Sequence, residues 1–129
     1  MLVAESSGRY RAAFAFGPLD DVSAYSPEYR PFDNSNPKEV ELRSPVYWLD
    51  SVSSPLFVIE GADLPGNLDA LKSLQRRSTN ANIHFLAVPG MSHFSVLAPM
   101  NELIANKIIH DTGPTTNLSI STEEIQQLR

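Results

Sequence analysis

The stretch PLFVIEGADLPGNLDALKSLQRRSTNANIHFLAVPGMSH, Pro55 to His93, decides how this chain folds. It reads as an apolar strand, a turn carrying an acid, an amphipathic helix, a second apolar strand and a turn carrying a histidine. Leu56, Phe57, Val58 and Ile59 run without alternation, the pattern of a parallel strand covered on both faces. Gly61 and Pro65-Gly66 turn the chain, Asn67 is placed to cap a helix, and Leu68, Leu71 and Leu74 recur at helical spacing. Lys72, Gln75, Arg76 and Arg77 form that helix's wet side, the arginines suiting its carboxyl-end dipole better than an anion site. Asn80 to Asn82 turns the chain again, and Ile83 to Val88 is the next strand, ended by Pro89-Gly90. A strand, helix, strand unit brings the loops after both strands to one edge of a parallel sheet, where open α/β sheets keep their sites. Asp63 and His93 are therefore an acid and an imidazole expected at one place, half of an active site.

Upstream, Arg11 to Phe16 (RAAFAF) ends at Gly17-Pro18 and suits a buried strand, although so short an apolar run also fits a core helix. Asp20 and Asp21 follow, where a loop at a strand's carboxyl end carries functional side chains. Met1 to Tyr10 reads as the last turn of a helix, Leu2 to Glu5, released at a left-handed Gly8. A chain opening on a helix end is expected to have lost what came before. Ser26 to Pro45 has four prolines and no periodicity, so a long loop with at most one helical turn near Lys38 to Leu42 is expected. It could overlie a site or be a plain surface excursion. Ser44 and Pro45 are placed as cap and first residue of a short helix through Val46, Trp48, Leu49 and Val52, with Trp48 in the core.

Beyond His93, Pro99 sits near the first turn of a helix whose Met100, Leu103, Ile104 and Ile108 share a face, with His110 a surface residue near its end. Residues 1–111 form one unit on this reading, and 112–129 a polar tail with a short terminal helix. That helix starts sharply: Ser121 with Glu124 makes a capping box, and Ile120 with Ile125 a hydrophobic staple.

Composition narrows the function classes. The 129 residues allow one domain, and 42% hydrophobic with 19% charged residues is ordinary for a globular protein. A net charge of -5 without a basic cluster argues against nucleic acid or an anionic membrane as partner. The lack of cysteine excludes disulfides, thiolate nucleophiles and cysteine metal sites. No secretory leader and no apolar run of about 20 residues is visible, so the expectation is a cytoplasmic protein. No metal and no cofactor are expected.

Three segments, RAAFAFGP, SPVYWLDSVSSPLFVIEGAD and VPGMSHFSVL with its following helix, resemble the carboxyl-terminal part of an α/β-hydrolase of the prolyl oligopeptidase and dienelactone hydrolase type. The resemblance implies an α/β fold in which the three parallel strands correspond to the sixth to eighth of that family. It also implies a serine, acid, histidine order, with the acid after the seventh strand and the histidine after the eighth. Asp63 would be the acid and His93 the base, although Gly61-Ala62-Asp63 is one residue shorter than the family's usual spacing. Members with the acid after the sixth strand nominate Asp20 or Asp21 instead. Glu60 ranks third because it would project from inside the strand, and His84, also within a strand, reads as structural.

The nucleophile elbow G-x-S-x-G is missing from the chain. Ala4-Glu5-Ser6-Ser7-Gly8 fails at the first glycine, and Ser92 lies beside His93 in sequence, where it cannot easily face the imidazole. The expectation is a fragment of a serine-type ester or peptide hydrolase, inactive alone. The competing expectation is a non-catalytic interaction module, or one half of a split hydrolase completed in trans. Either would leave a sheet edge exposed for a homodimer or a partner chain. A small-molecule site at the Gly66-Asn67 helix start is weak, because phosphate loops carry more glycines.

Overall fold

Three apolar runs make one sheet. In the computed structural model, which describes residues 1–29 and 31–128, β1 (Ala13–Phe16), β2 (Leu56–Asp63) and β3 (Ile83–Ser92) pair in parallel in the order β1-β2-β3. Arg30, inside the long loop, and Arg129 lie outside the described residues. Helices α1 (Leu2–Glu5), α2 (Pro37–Arg43), α3 (Leu68–Arg77), α4 (Leu97–His110) and α5 (Thr122–Gln127) alternate with the strands, giving an α/β fold. No helix among the described residues is long and apolar enough to cross a membrane.

β2 is the central strand, and its unbroken apolar run follows from burial on both faces. Leu56 and Val58 pack on one side with Leu49, Val52, Leu71 and Leu74. Phe57 and Ile59 pack on the other with Val88, Met91, Met100 and Ile104. Phe14 stacks on Phe57 at 5.1 Å between ring centres, which fixes β1 as a strand rather than a core helix.

β3 runs further than the Pro89-Gly90 break suggests. It continues to Ser92, because on an edge strand a proline forfeits only an outward hydrogen bond. The ladder passes from Gly61 opposite Val88 to Asp63 opposite Ser92, so a bulge at residues 89–91 takes up two extra residues. A methyl group on Gly61 would sit 2.4 Å from the Ser92 backbone, so glycine is what allows this approach. His93 thus leaves directly from the end of a bulged strand, not from a separate glycine turn.

The remaining differences are local. Gly8 is not left-handed; the chain leaves α1 at a right-handed Ser6, and Gly8 instead makes room for the Ser53 hydroxyl. The helix expected after Pro45 is two short 3₁₀ turns, Pro45–Tyr47 and Leu49–Ser51. Ser44 does not cap them, because its hydroxyl accepts from Val22 N–H and donates to Asp21. In the long loop, Asn36 caps α2, which makes nearly two turns where one was expected.

Within residues 112–128 the chain packs back on the fold through Leu118, Ile120, Ile125 and Leu128. Arg11 donates to both oxygens of Asp111, at 2.6 and 2.8 Å, and to the Gly113 carbonyl at 2.7 Å. The Arg11 hydrogen bond holds the Asp111 carboxyl well below the usual range. The capping box of Ser121 and Glu124 is present, and α5 buries Ile125 beside α4 residues Met100 and Ile104.

Among the described residues, one buried side chain has no partner. Glu5 is 5% exposed and neither carboxylate oxygen makes a hydrogen bond, in a wall shared with Leu2, Val3, Leu42 and Trp48. Burial pushes its carboxyl up to about 7. Below the ordinary carboxylate range the group is neutral whether the chain is folded or not, so its charge costs nothing there. As pH rises from 4.5 towards 7 the unfolded chain ionises first, and the folded state loses stability. In urea unfolding, Glu5→Met is expected to gain on the wild type across this window and to exceed it by about 2–3 kcal/mol above pH 7. A gap that does not change with pH contradicts this account.

Candidate functional site

The acid beside His93 is Glu60. His93 Nδ1 lies 3.1 Å from Glu60 Oε1 and 3.1 Å from Oε2, at the carboxyl-terminal edge of the sheet. Glu60 is the last residue of the LFVIE run in β2, and its two methylenes carry the carboxylate from inside the strand up to the edge. The Gly61 N–H donates to Oε1 at 3.1 Å. A buried carboxylate is stable only when paired and hydrogen-bonded, and the imidazole with this amide supplies both.

Glycines shape the seat. A side chain on Gly17 would meet His93 Cε1 at 2.6 Å, and Gly17 itself has φ +61°, so this position serves both the turn after β1 and the space for the ring. A side chain on Gly66 would stand 3.0 Å from Glu60 Oε1, so the 64–66 turn closes over the carboxylate. Asn67 Nδ2 donates to the Gly17 carbonyl at 3.2 Å and ties that turn to the end of β1. This is why Asn67, at the cap position of α3, makes no side-chain capping bond.

His93 is held from its other side by a serine pair. Ser92 N–H donates to Ser95 Oγ at 2.8 Å and Ser95 N–H to Ser92 Oγ at 3.2 Å, a reciprocal turn spanning the histidine. Both hydroxyls are engaged in that turn, and among the described residues none bonds the imidazole Nε2. The exposed Phe94 ring stands edge-on to the imidazole at 4.8 Å. The His93 side chain is 30% exposed while that of Glu60 is fully enclosed. A reacting molecule can therefore reach the imidazole but not the carboxylate.

The acids singled out in the sequence lie elsewhere. Asp63 is exposed, with its backbone in register with Ser92, and makes no hydrogen bond to His93. Asp20 Oδ1 accepts from the Asp21 N–H. Asp21 caps the 3₁₀ turn Val22–Ala24 through Ser23 N–H at 2.7 Å. Burial pushes the Asp21 carboxyl up, but hydrogen bonds from Ser23 and Ser44, with Arg77 nearby, outweigh it and leave the group below its ordinary value. The pairing of His93 with Asp63, Asp20 or Asp21 is thus replaced by pairing with Glu60, because the longer side chain reaches the imidazole from within the strand. One feature pointed there: Glu60 is a charged residue inside a run that the fold buries completely, and such a residue needs a partner.

The other histidines have local roles. His84 stacks on Phe57 at 4.8 Å, and His110 Nδ1 donates to the Asn106 carbonyl within α4. Among the described residues no group of three or more His, Asp or Glu side chains is placed to hold a metal ion. Chemically, a carboxylate that accepts from Nδ1 fixes one tautomer and leaves Nε2 with a free lone pair, the arrangement of a general base.

The fold and the site together define an open parallel α/β sheet with a histidine–glutamate dyad at its carboxyl edge. Compared with protein-family models, with curated proteins and with solved structures, the chain matches none.

In nitrogen-15 spectra of the imidazoles at alkaline pH, His93 is expected to be the Nδ1–H tautomer in the wild type and to shift towards Nε2–H in Glu60→Gln. An unchanged tautomer would deny Glu60 its orienting role. Gly17→Ala is expected to displace the ring and to cost about 1–3 kcal/mol of stability by overpacking; wild-type stability and an unshifted His93 resonance would contradict the close contact.

Proposed function

We propose that His93 and Glu60 are the base and orienting acid of a nucleophilic hydrolase site in the α/β-hydrolase lineage, in a chain that does not supply the nucleophile. The observation that carries this reading is the contact of His93 Nδ1 with both oxygens of an enclosed Glu60 at the sheet's carboxyl edge. The chain order supports it further: the acid comes from one parallel strand and the histidine from the end of the next. The parent reaction is hydrolysis of an ester or peptide bond. His93 Nε2 takes the proton of an attacking hydroxyl as its oxygen bonds the carbonyl carbon and returns that proton to the leaving group as its bond to carbon breaks; water then repeats the exchange, releasing the acid and restoring the hydroxyl. Glu60 holds the ring and stabilises the imidazolium formed in between. The attacking hydroxyl lies outside these 129 residues on this reading, and a second chain that carries it would complete the site in trans. The same reading sets it in the cytoplasm, with which a cysteine-free composition agrees.

A fluorophosphonate probe tests this. The purified chain is expected to show no labelling and no ester hydrolysis above imidazole background. Added to an extract of its source cells, the wild-type chain is expected to raise labelling of a second chain at least tenfold over His93→Ala or Glu60→Gln chain, following typical general-base contributions of about 10²–10⁴. Stoichiometric labelling of this chain itself, or equal labelling with all three forms, sinks the proposal.

A further inference from the structure

The side of β1 that faces away from β2 is unpaired, and apolar side chains crowd around it. The ladder fixes which groups point outward. Ala13 N–H donates to the Pro55 carbonyl at 2.8 Å and Gly17 N–H to the Ile59 carbonyl at 3.1 Å, so the odd-numbered positions bond β2. By alternation, the N–H and C=O groups of Ala12, Phe14 and Phe16 face the open side. Among the described residues β1 pairs with no other strand. All four β1 residues stay half-buried, and Val3, Tyr10 and Ile108 beside them are exposed. A groove of about 200 Å³ runs along one face, lined by Arg11, Ala12, Phe14, Ile108, Asp111 and Leu118. A second, of about 140 Å³, lies on the other between Val3, Tyr10 and the alanines Ala13 and Ala15.

We infer that β1 pairs with β1 of a second copy of this chain, antiparallel about a twofold axis at Phe14, joining two three-stranded sheets into one. Three features of the edge are self-complementary. The first is the backbone. With Phe14 opposite Phe14, Ala12 falls opposite Phe16, and every outward N–H of the strand meets an outward carbonyl. A slip of two residues towards Gly17 sets Pro18, which has no N–H, against Ala12 and loses a bond.

The second feature is size. Ala12 is small and borders the 200 Å³ groove, and in this register the Phe16 ring of the second copy lies on the same face beside it. The twofold repeats that contact at the other end. The third is charge. Arg9 precedes β1 while Asp20 and Asp21 follow it, and the Arg11 charge is met within the copy by Asp111. Antiparallel pairing sets the basic end of one copy against the acidic end of the other; parallel pairing sets like against like. The closed pair also removes the open β1 edge from each copy, so a third chain finds no free β1 to add to.

Sedimentation and light scattering of the full chain from about 1 μM to about 1 mM test the pairing. The expected result is a rise from 14.2 kDa to twice that mass and no further growth. Ala12→Pro removes an outward N–H without touching the Ala13 bond to β2, and Ala12→Lys places a charge on the edge. Each is expected to raise the dimer dissociation constant by about tenfold or more while far-ultraviolet dichroism stays native. Should the proline variant unfold, the lysine variant decides. Arg9→Asp is expected to weaken the dimer and Arg9→Asp with Asp20→Arg to restore it. A monomer at every concentration, which would leave the edge to a strand of a different chain, overturns the inference. So do open-ended growth, a dimer indifferent to both Ala12 variants, or a charge-reversed pair that restores nothing. The readout is mass, so this outcome is independent of whether the His93–Glu60 dyad acts as a base.

Discussion

A carboxylate enclosed in the middle strand of a small sheet is the constraint on which the site depends. Glu60 cannot reach water, so its charge has to be met by an imidazole and an amide within the fold. That requirement reaches outward through the backbone. β3 must end where it brings His93 over Glu60, so it carries a bulge at residues 89–91, and β2 must let β3 come within contact distance at Gly61. The loops after β1 and β2 must stay thin, which Gly17 and Gly66 allow. Gly17 and Gly66 lie in different loops, yet both border the same pair of side chains.

The dyad is asymmetric, and on the proposed reading that asymmetry serves a base. Were the pair only a device to bury Glu60, the imidazole would gain by being buried as well, since exposure weakens the interaction through screening. Instead the carboxylate is enclosed and the ring is open to solvent, with the reciprocal Ser92–Ser95 turn fixing its backbone. A base needs that division: one nitrogen committed to an anchor, the other presented outward.

The architecture was legible because its determinants are local. Continuous apolar strands in Pro55 to His93, leucines at helical spacing and a capping box at Ser121 each act over a few residues, and the three strands, α3 and α5 follow from them. His93 was legible for the same reason, as the residue after a strand end. The acid was not, since pattern rules put functional side chains in the loops after strands and so favoured Asp63, Asp20 and Asp21. What decides between a two-carbon and a three-carbon side chain is reach across the sheet, and that depends on the β3 bulge, which no short window reveals. Ser44 and Asn67 were misread likewise: both occupy cap positions, but bonds to Val22, Asp21 and Gly17, up to 50 residues away in sequence, offer their side chains better partners.

The two halves of the sheet carry different kinds of information. Between β2 and β3 the register is fixed by the bulge, by Gly61 and by the dyad, so a slip of even one residue would bury a charge without its partner. Between β1 and the space beyond it nothing of that kind holds. β1 is four residues long, made of alanine and phenylalanine alone, and anchored to the rest of the fold through the Phe14–Phe57 stack and through Arg11, whose guanidinium clasps Asp111. The clasp matters for geometry as well as for holding the 111–117 segment: it keeps the Arg11 charge folded back against α4 instead of across the open edge. Lysine-like blocking, the usual guard of an exposed strand, is thereby withheld from the strand that has most need of it. The cation nearest that strand in sequence, Arg11, is committed to Asp111 and does not guard the edge.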